Sequence, residues 1–183
     1  MKKIHQFRYF NKLKSVYRYN SVENRKESSA EHSWSCLILA DYFLSIMKAK
    51  INRIKVYEIL MYHDVIEIEM GDIPLHPNVK KVHNDDSSYI NELEKKLPVP
   101  LNTKFVELYQ EYKEQKTIEA KFAKAIDALD AEIHELDYKN DWKGWNEEFL
   151  IKSKAHLFNE FPEMKKIFNE IVIYLRENKY FDQ

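Results

Sequence analysis

Nine residues, Ile59-Leu60-Met61-Tyr62-His63-Asp64-Val65-Ile66-Glu67, embed one imidazole and two carboxylates in otherwise apolar sequence. On a helix His63 and Glu67 stand four apart and Asp64 and Glu67 three apart, so all three can lie toward one side with Leu60 and Met70. Burying two carboxylates together costs on the order of several kcal/mol unless something positive sits between them. A divalent cation neutralises both and accepts the imidazole nitrogen.

Three further positions repeat the anomaly. His32 lies in the first turn of an apolar segment, and Asp127 stands in Ala123-Lys124-Ala125-Ile126-Asp127-Ala128-Leu129. Asp72 follows Glu67 just past the end of its segment. Two imidazoles and two carboxylates from separate helices suit a site with open positions for Mn²⁺, Fe²⁺, Co²⁺, Ni²⁺ or Mg²⁺. Structural zinc is a poorer match, because Cys36 is the lone cysteine and sits in an apolar run where a core role is expected. His76 and His83 have no ligand spacing and read as surface histidines. Asp130 and His134 share a face with Asp127 and read as a solvated pair. Trp142 and Trp145 read as packing for the C-terminal helices.

Helices must carry these residues. Only 2 of 183 residues are glycine, which nearly rules out tight hairpins, Rossmann turns and P-loops. Hydrophobic period predicts helices over about 3–17, 29–49, 53–70, 79–97, 102–114, 118–138, 146–157 and 162–178. Ser28-Ser29-Ala30-Glu31 reads as a capping box opening the His32 helix. In that helix Trp34, Leu37, Ile38, Leu44 and Met47 form a broad apolar stripe. Gly71 reads as a C-terminal stop with Pro74 and Pro77 beyond, and Thr117 as an N-cap. No strand pattern longer than four residues competes. The expected fold is all-α, one helical bundle over 1–183 with its motifs in about 7–140 and C-terminal helices packed on that body.

Charge narrows the function. With 29 basic and 30 acidic residues the net charge is −1, so no field draws in a nucleic acid polymer or an anionic membrane. No run of about 18 apolar residues spans a membrane. The single cysteine suits a reducing compartment, and the expectation is a cytoplasmic protein.

The pattern His32, His63-Asp64, Asp127 resembles the HD-domain metal-dependent phosphohydrolases. Longer blocks bring it near the small bacterial 5′-deoxynucleotidases and their HD-domain-containing relatives. These blocks are Leu13-Lys14 through Arg18, Arg25 to Trp34, Tyr62-His63-Asp64-x-x-Glu67-x-x-x-Gly71-Asp72-Ile73-Pro74, and Thr117 to Leu129. The resemblance implies a single HD domain and one divalent metal ion (Mn, Co, Fe, Ni, Mg or Zn) on His32, His63, Asp64 and Asp127. It implies hydrolysis of a small nucleotide, such as a (deoxy)nucleoside 5′-monophosphate. Glu67 would orient or deprotonate the attacking water, Asp72 would work near the leaving oxygen or the sugar, and Arg18 would hold the phosphate. Arg25 would help bind substrate or pair with an acidic residue. Members preferring deoxyribonucleotides tend to have Trp directly after that arginine, where this chain has Tyr19. A homodimer is implied by resemblance alone. The alternatives are a hydrolase of a nucleoside tri- or diphosphate or an alarmone, and a catalytically silent nucleotide-binding module.

Overall fold

The computed structural model describes residues 3–79 and 85–181. His83 therefore lies outside the described residues. The chain opens with α1 (Lys3–Phe10), which tightens into a 3-10 turn over Asn11–Ser15 instead of running on to residue 17. The polar segment that follows is a β-hairpin, β1 (Tyr17–Val22) and β2 (Arg25–Ser28), which the sequence reading did not anticipate. Its register pairs Tyr17 with Ser28, Ser21 with Lys26 and Val22 with Arg25. The turn is made without glycine, Glu23 taking φ 50°. Tyr17, Tyr19 and Val22 have strand propensity, but the stretch buries little apolar surface, so no period-2 hydrophobic signal marked it.

Ser28 ends the hairpin and caps α2 (Ser29–Ile46), with both halves of the expected capping box formed. Residues Ser29, His32, Ser33, Cys36, Ala40 and Phe43 are buried on this helix; of the expected stripe Leu37, Leu44 and Met47 pack partly buried against the core, while Trp34 and Ile38 do not. The helix is apolar nearly all round, so close approach decides which face turns inward. Small side chains let α2 pack near α7 (Ile118–Glu135), which presents Ala120, Ala123 and Ala128. Trp34, Ile38 and Tyr42 are left exposed.

The segment expected as one helix over 53–70 is broken. After α3 (Arg53–Tyr62) the chain turns through residues 63–66 with i→i+3 bonds, Val65 N–H to Tyr62 O and Glu67 N–H to Asp64 O. It resumes as α4 (Glu67–Met70) and stops at Gly71, φ 75°. The remaining helices are α5 (Ser87–Lys96), α6 (Leu101–Glu114), α8 (Glu147–Lys154) and α9 (Pro162–Glu177), with Thr117 capping α7 as expected. α2, α3 and α7 pack mutually, α6 covers α3 and α7, and α9 closes the far side of α7. Trp142 and Trp145 are buried between the C-terminal segment and the body.

Candidate metal centre

Four elements converge on one point. α2 supplies His32 from its first turn, the α3–α4 turn supplies His63 and Asp64, and α7 supplies Asp127 from its middle. β1 brings Arg18 alongside. His32 Nε2 lies 2.9 Å from Asp127 Oδ1, and His63 Nε2 lies 3.1 Å from Asp64 Oδ1 and 3.9 Å from Asp127 Oδ1. The two imidazole centroids are 5.5 Å apart.

Each imidazole is oriented from behind. His32 Nδ1 donates to Asp130 Oδ2 at 2.9 Å, and Ser35 Oγ donates to the same oxygen at 2.6 Å. Asp130 is buried, not the solvated residue expected, because it closes against α2. His63 Nδ1 donates to Leu60 O at 2.8 Å. That bond places a proton on Nδ1 and turns Nε2, the nitrogen a metal would take, toward the two carboxylates. An N–H held by a carboxylate or carbonyl while the other nitrogen faces inward is the usual support of a metal-ligating histidine.

The interior of the cluster is electron-rich and under-satisfied. His63 Nε2 and Asp64 Oδ2 are buried without a hydrogen bond among the described residues. Burial disfavours a charged His32, yet the hydrogen bonds to Asp127 and Asp130 raise its pKa well above the ordinary value. A proton between His32 and Asp127 thus does what a cation would do there. Burial also opposes the Asp127 charge, but Lys124, His32 and His63 outweigh it and hold that carboxyl well below its usual range. Asp127 Oδ2 accepts from Tyr112 Oη at 2.6 Å and from Lys124 Nζ at 2.9 Å.

The ligand atoms of His32, Cys36 and His63 lie within 4.8 Å of one another and could hold a metal ion. Cys36 sits one turn along α2, its sulfur 3.5 Å from His32 Nε2, with a thiol pushed by burial to about 12. The carboxylate side fits a divalent cation better. There, His63 Nε2 and Asp64 Oδ2 have no hydrogen bond among the described residues, whereas the neutral thiol already contacts the imidazole.

Around this cluster the other expected residues take distinct positions. Glu67 Oε2 accepts from Ser29 Oγ at 2.6 Å, and burial with the nearby Asp64 and Asp72 pushes Glu67 up to about 9. Asp72 is raised by burial, and the Tyr19 backbone N–H and Arg18 pull against that shift. Burial opposes the Arg18 charge, but Asp64, Asp127, Asp72 and Glu27 keep the guanidinium firmly protonated. Arg18 Nη1 is 3.7 Å from Asp64 Oδ2 and its Nε is 3.2 Å from Glu27 Oε2. Arg25 is not in this group; it is exposed and grips Glu31 through two hydrogen bonds of 2.8 and 2.5 Å. The Tyr19 ring meets His76 at 5.1 Å and the Lys26 ammonium at 4.8 Å. His76 itself is buried rather than at the surface, with Nε2 donating to Lys143 O and Nδ1 accepting from Asn78 N–H.

Sequence reasoning undervalued Asp130 and missed Ser29, Tyr112 and Lys124. Asp130 and Lys124 each stand three residues from Asp127, a signal that was available. Tyr112 lies on another helix, and only packing reveals it.

Fold and site together define a predominantly helical protein with a buried cluster of histidines and aspartates. An HD-domain family model matches residues 10–165, and the chain belongs to that family. It is 27% identical over 156 residues to human 5′-deoxynucleotidase HDDC2, covering 84% of this chain and 74% of that protein. It is 31% identical over 133 residues to 5′-deoxynucleotidase hdd1 of Schizosaccharomyces pombe, covering 69% and 65%. A crystal structure described as a predicted metal-dependent phosphohydrolase from Magnetospirillum magnetotacticum superposes with a TM-score of 0.82 over 98% of both chains at 23% identity. That likeness shows the fold.

Proposed function

We propose that this protein is a metal-dependent phosphohydrolase that removes phosphate from a small nucleotide, with a (deoxy)nucleoside 5′-monophosphate as substrate. The carrying observation is His63 Nε2, buried without a hydrogen bond among the described residues and set 3.1 Å from Asp64 Oδ1 and 3.9 Å from Asp127 Oδ1. His32, His63, Asp64 and Asp127 would hold one divalent ion, drawn from Mn²⁺, Co²⁺, Fe²⁺, Ni²⁺, Mg²⁺ or Zn²⁺. Such an ion polarises a phosphoryl oxygen and brings the pKa of water toward neutrality. That the similar human and Schizosaccharomyces pombe proteins are named 5′-deoxynucleotidases supports the nucleotide assignment.

The chain's own groups divide the remaining work. Arg18 offers a fixed, permanently charged fork to the phosphate, where charge spreads over equatorial oxygens in the transition state. Glu67 has one oxygen held by Ser29 and takes the proton of the attacking water on the other. Asp72, with its pKa raised, suits donation to the departing 5′-oxygen. A tri- or diphosphate would need further cations. Arg25 is engaged by Glu31, and Lys26 by Tyr19 O and Asp141, so the monophosphate is favoured.

Phosphate release from a panel of ribo- and deoxyribonucleoside monophosphates, each with one of these ions added to chelator-treated protein, tests the reading. Release with at least one pair, abolished in Asp64→Ala, is the expected result. Binding of a nucleotide without release points instead to a silent module.

Trp34, Ile38, Tyr42 and Ile46 are 66, 58, 56 and 47% exposed at four-residue intervals along α2. An apolar stripe about 18 Å long is self-complementary across a two-fold axis, which supports a homodimer. Ile38→Asp should then halve the mass seen by light scattering. Among the described residues no helix is long and apolar enough to cross a membrane. The buried, unpaired Cys36 supports a cytoplasmic setting.

A further inference from the structure

We infer that Tyr112 of α6 and Lys124 of α7 form a clamp that restricts Asp127 to a single metal-facing oxygen; this rests on the reading of Asp127 as a ligand. A carboxylate has two oxygens and can meet a cation through either or both. Here one is committed. Asp127 Oδ2 accepts from Tyr112 Oη at 2.6 Å and from Lys124 Nζ at 2.9 Å. Lys124 Nζ also donates to Tyr112 Oη, at 2.9 Å, which turns the phenol hydrogen toward Asp127 and closes a three-membered ring of hydrogen bonds. Oδ1 remains as the oxygen facing His32 and His63.

The same tyrosine touches a second candidate ligand. Its ring meets the His63 imidazole edge-on, with centroids 5.4 Å apart and planes at 66°. Tyr112 therefore bears on both the carboxylate of α7 and the imidazole of the α3–α4 turn, from a helix that supplies no ligand. A one-oxygen Asp127 keeps one more coordination position available for water or a phosphoryl oxygen than a two-oxygen Asp127 would. Both residues are positioning residues, acting through Asp127.

The test is Co²⁺ and Mn²⁺ binding to chelator-treated protein by competition with a chromophoric chelator, together with the visible spectrum of the Co²⁺ form. Tyr112→Phe should raise Kd about 10- to 100-fold, the scale seen when an outer-sphere partner is lost, and should change the Co²⁺ bands. Lys124→Met should alter the same bands by removing one of the two donors that hold Oδ2; it decides the matter if Tyr112→Phe does not fold. Wild-type Kd with an unchanged spectrum in a folded Tyr112→Phe protein overturns the clamp. Failure of the wild-type protein to bind either ion overturns the ligand reading as well, whereas wild-type binding abolished by Asp127→Ala but untouched by Tyr112→Phe sinks the clamp alone.

Discussion

Glu67 and Asp130 show how one carboxylate chemistry is put to different uses by surroundings. Glu67 is buried beside Asp64 and Asp72, which disfavours its charge and pushes it to about 9. Neutralising those neighbours brings it back toward the range in which a general base works. Glu67→Gln keeps the acceptor that Ser29 needs but cannot take a proton. Its turnover should fall about 10²-fold or more while metal Kd stays within a few-fold of wild type, measured by steady-state phosphate release and chelator competition. Asp130 instead touches His32 from the side away from the cluster. Asp130→Asn keeps the shape and loses the charge that fixes the imidazole, so metal affinity should weaken about 10- to 100-fold. Equal losses of affinity in both variants would contradict this division of roles.

At the level of elements, the loop after α4 is held by a close approach that only glycine permits. Gly144 has φ 90°, and a Cβ there would stand 2.6 Å from Asn78 Nδ2 and 3.2 Å from His76 Cε1. His76 ties the loop to Lys143 O on the same turn. Since this loop carries Asp72, its seating is coupled to the site. Gly144→Ala should destabilise the fold by about 1–3 kcal/mol, read by urea denaturation, and lower kcat/KM. Adding Asn78→Ala removes the shorter contact but neither the one to His76 nor the left-handed backbone, so it should recover part of the loss. Full recovery would mean that the backbone conformation costs nothing. The hairpin is pinned in a comparable way by polar contacts: Ser21 N–H and Oγ donate to Asp141, Asn20 Nδ2 donates to Glu135, and His134 Nε2 lies 2.7 Å from Ser21 O.

Across the whole molecule, stability should depend on pH through Glu135. This carboxyl is raised to about 8 by burial and by Glu132 beside it. The folded chain holds the proton more tightly than the unfolded chain does. The contribution is therefore full below about 4.5, the unfolded value, and is lost as pH rises through about 8. Glu135→Gln mimics the protonated form and keeps an oxygen for Asn20. The Tm of the variant relative to wild type should climb steadily between pH 5 and pH 8. A constant difference across that window would show that Glu135 does not titrate there. The nearby Lys154–Glu132 ion pair joins α8 to α7, so the C-terminal segment braces the helix that carries Asp127 and Asp130.

Spacing and local patterning alone carried the helical character, the capping box at Ser28, the N-cap at Thr117 and the stop at Gly71, because each depends on residues within a few positions of one another. The positions His32, His63, Asp64 and Asp127 also stood out in sequence, since ionisable groups in apolar helices are costly wherever the helices go. Tertiary packing decided what local signals could not. It broke the helix after Tyr62, paired Tyr17–Val22 with Arg25–Ser28, and turned the small face of α2 inward while leaving Trp34 outside. It also set Asp130 behind His32 and Tyr112 against Asp127. Those outcomes depend on distances between segments remote in the chain, where close fit and the pairing of buried polar atoms set the energy.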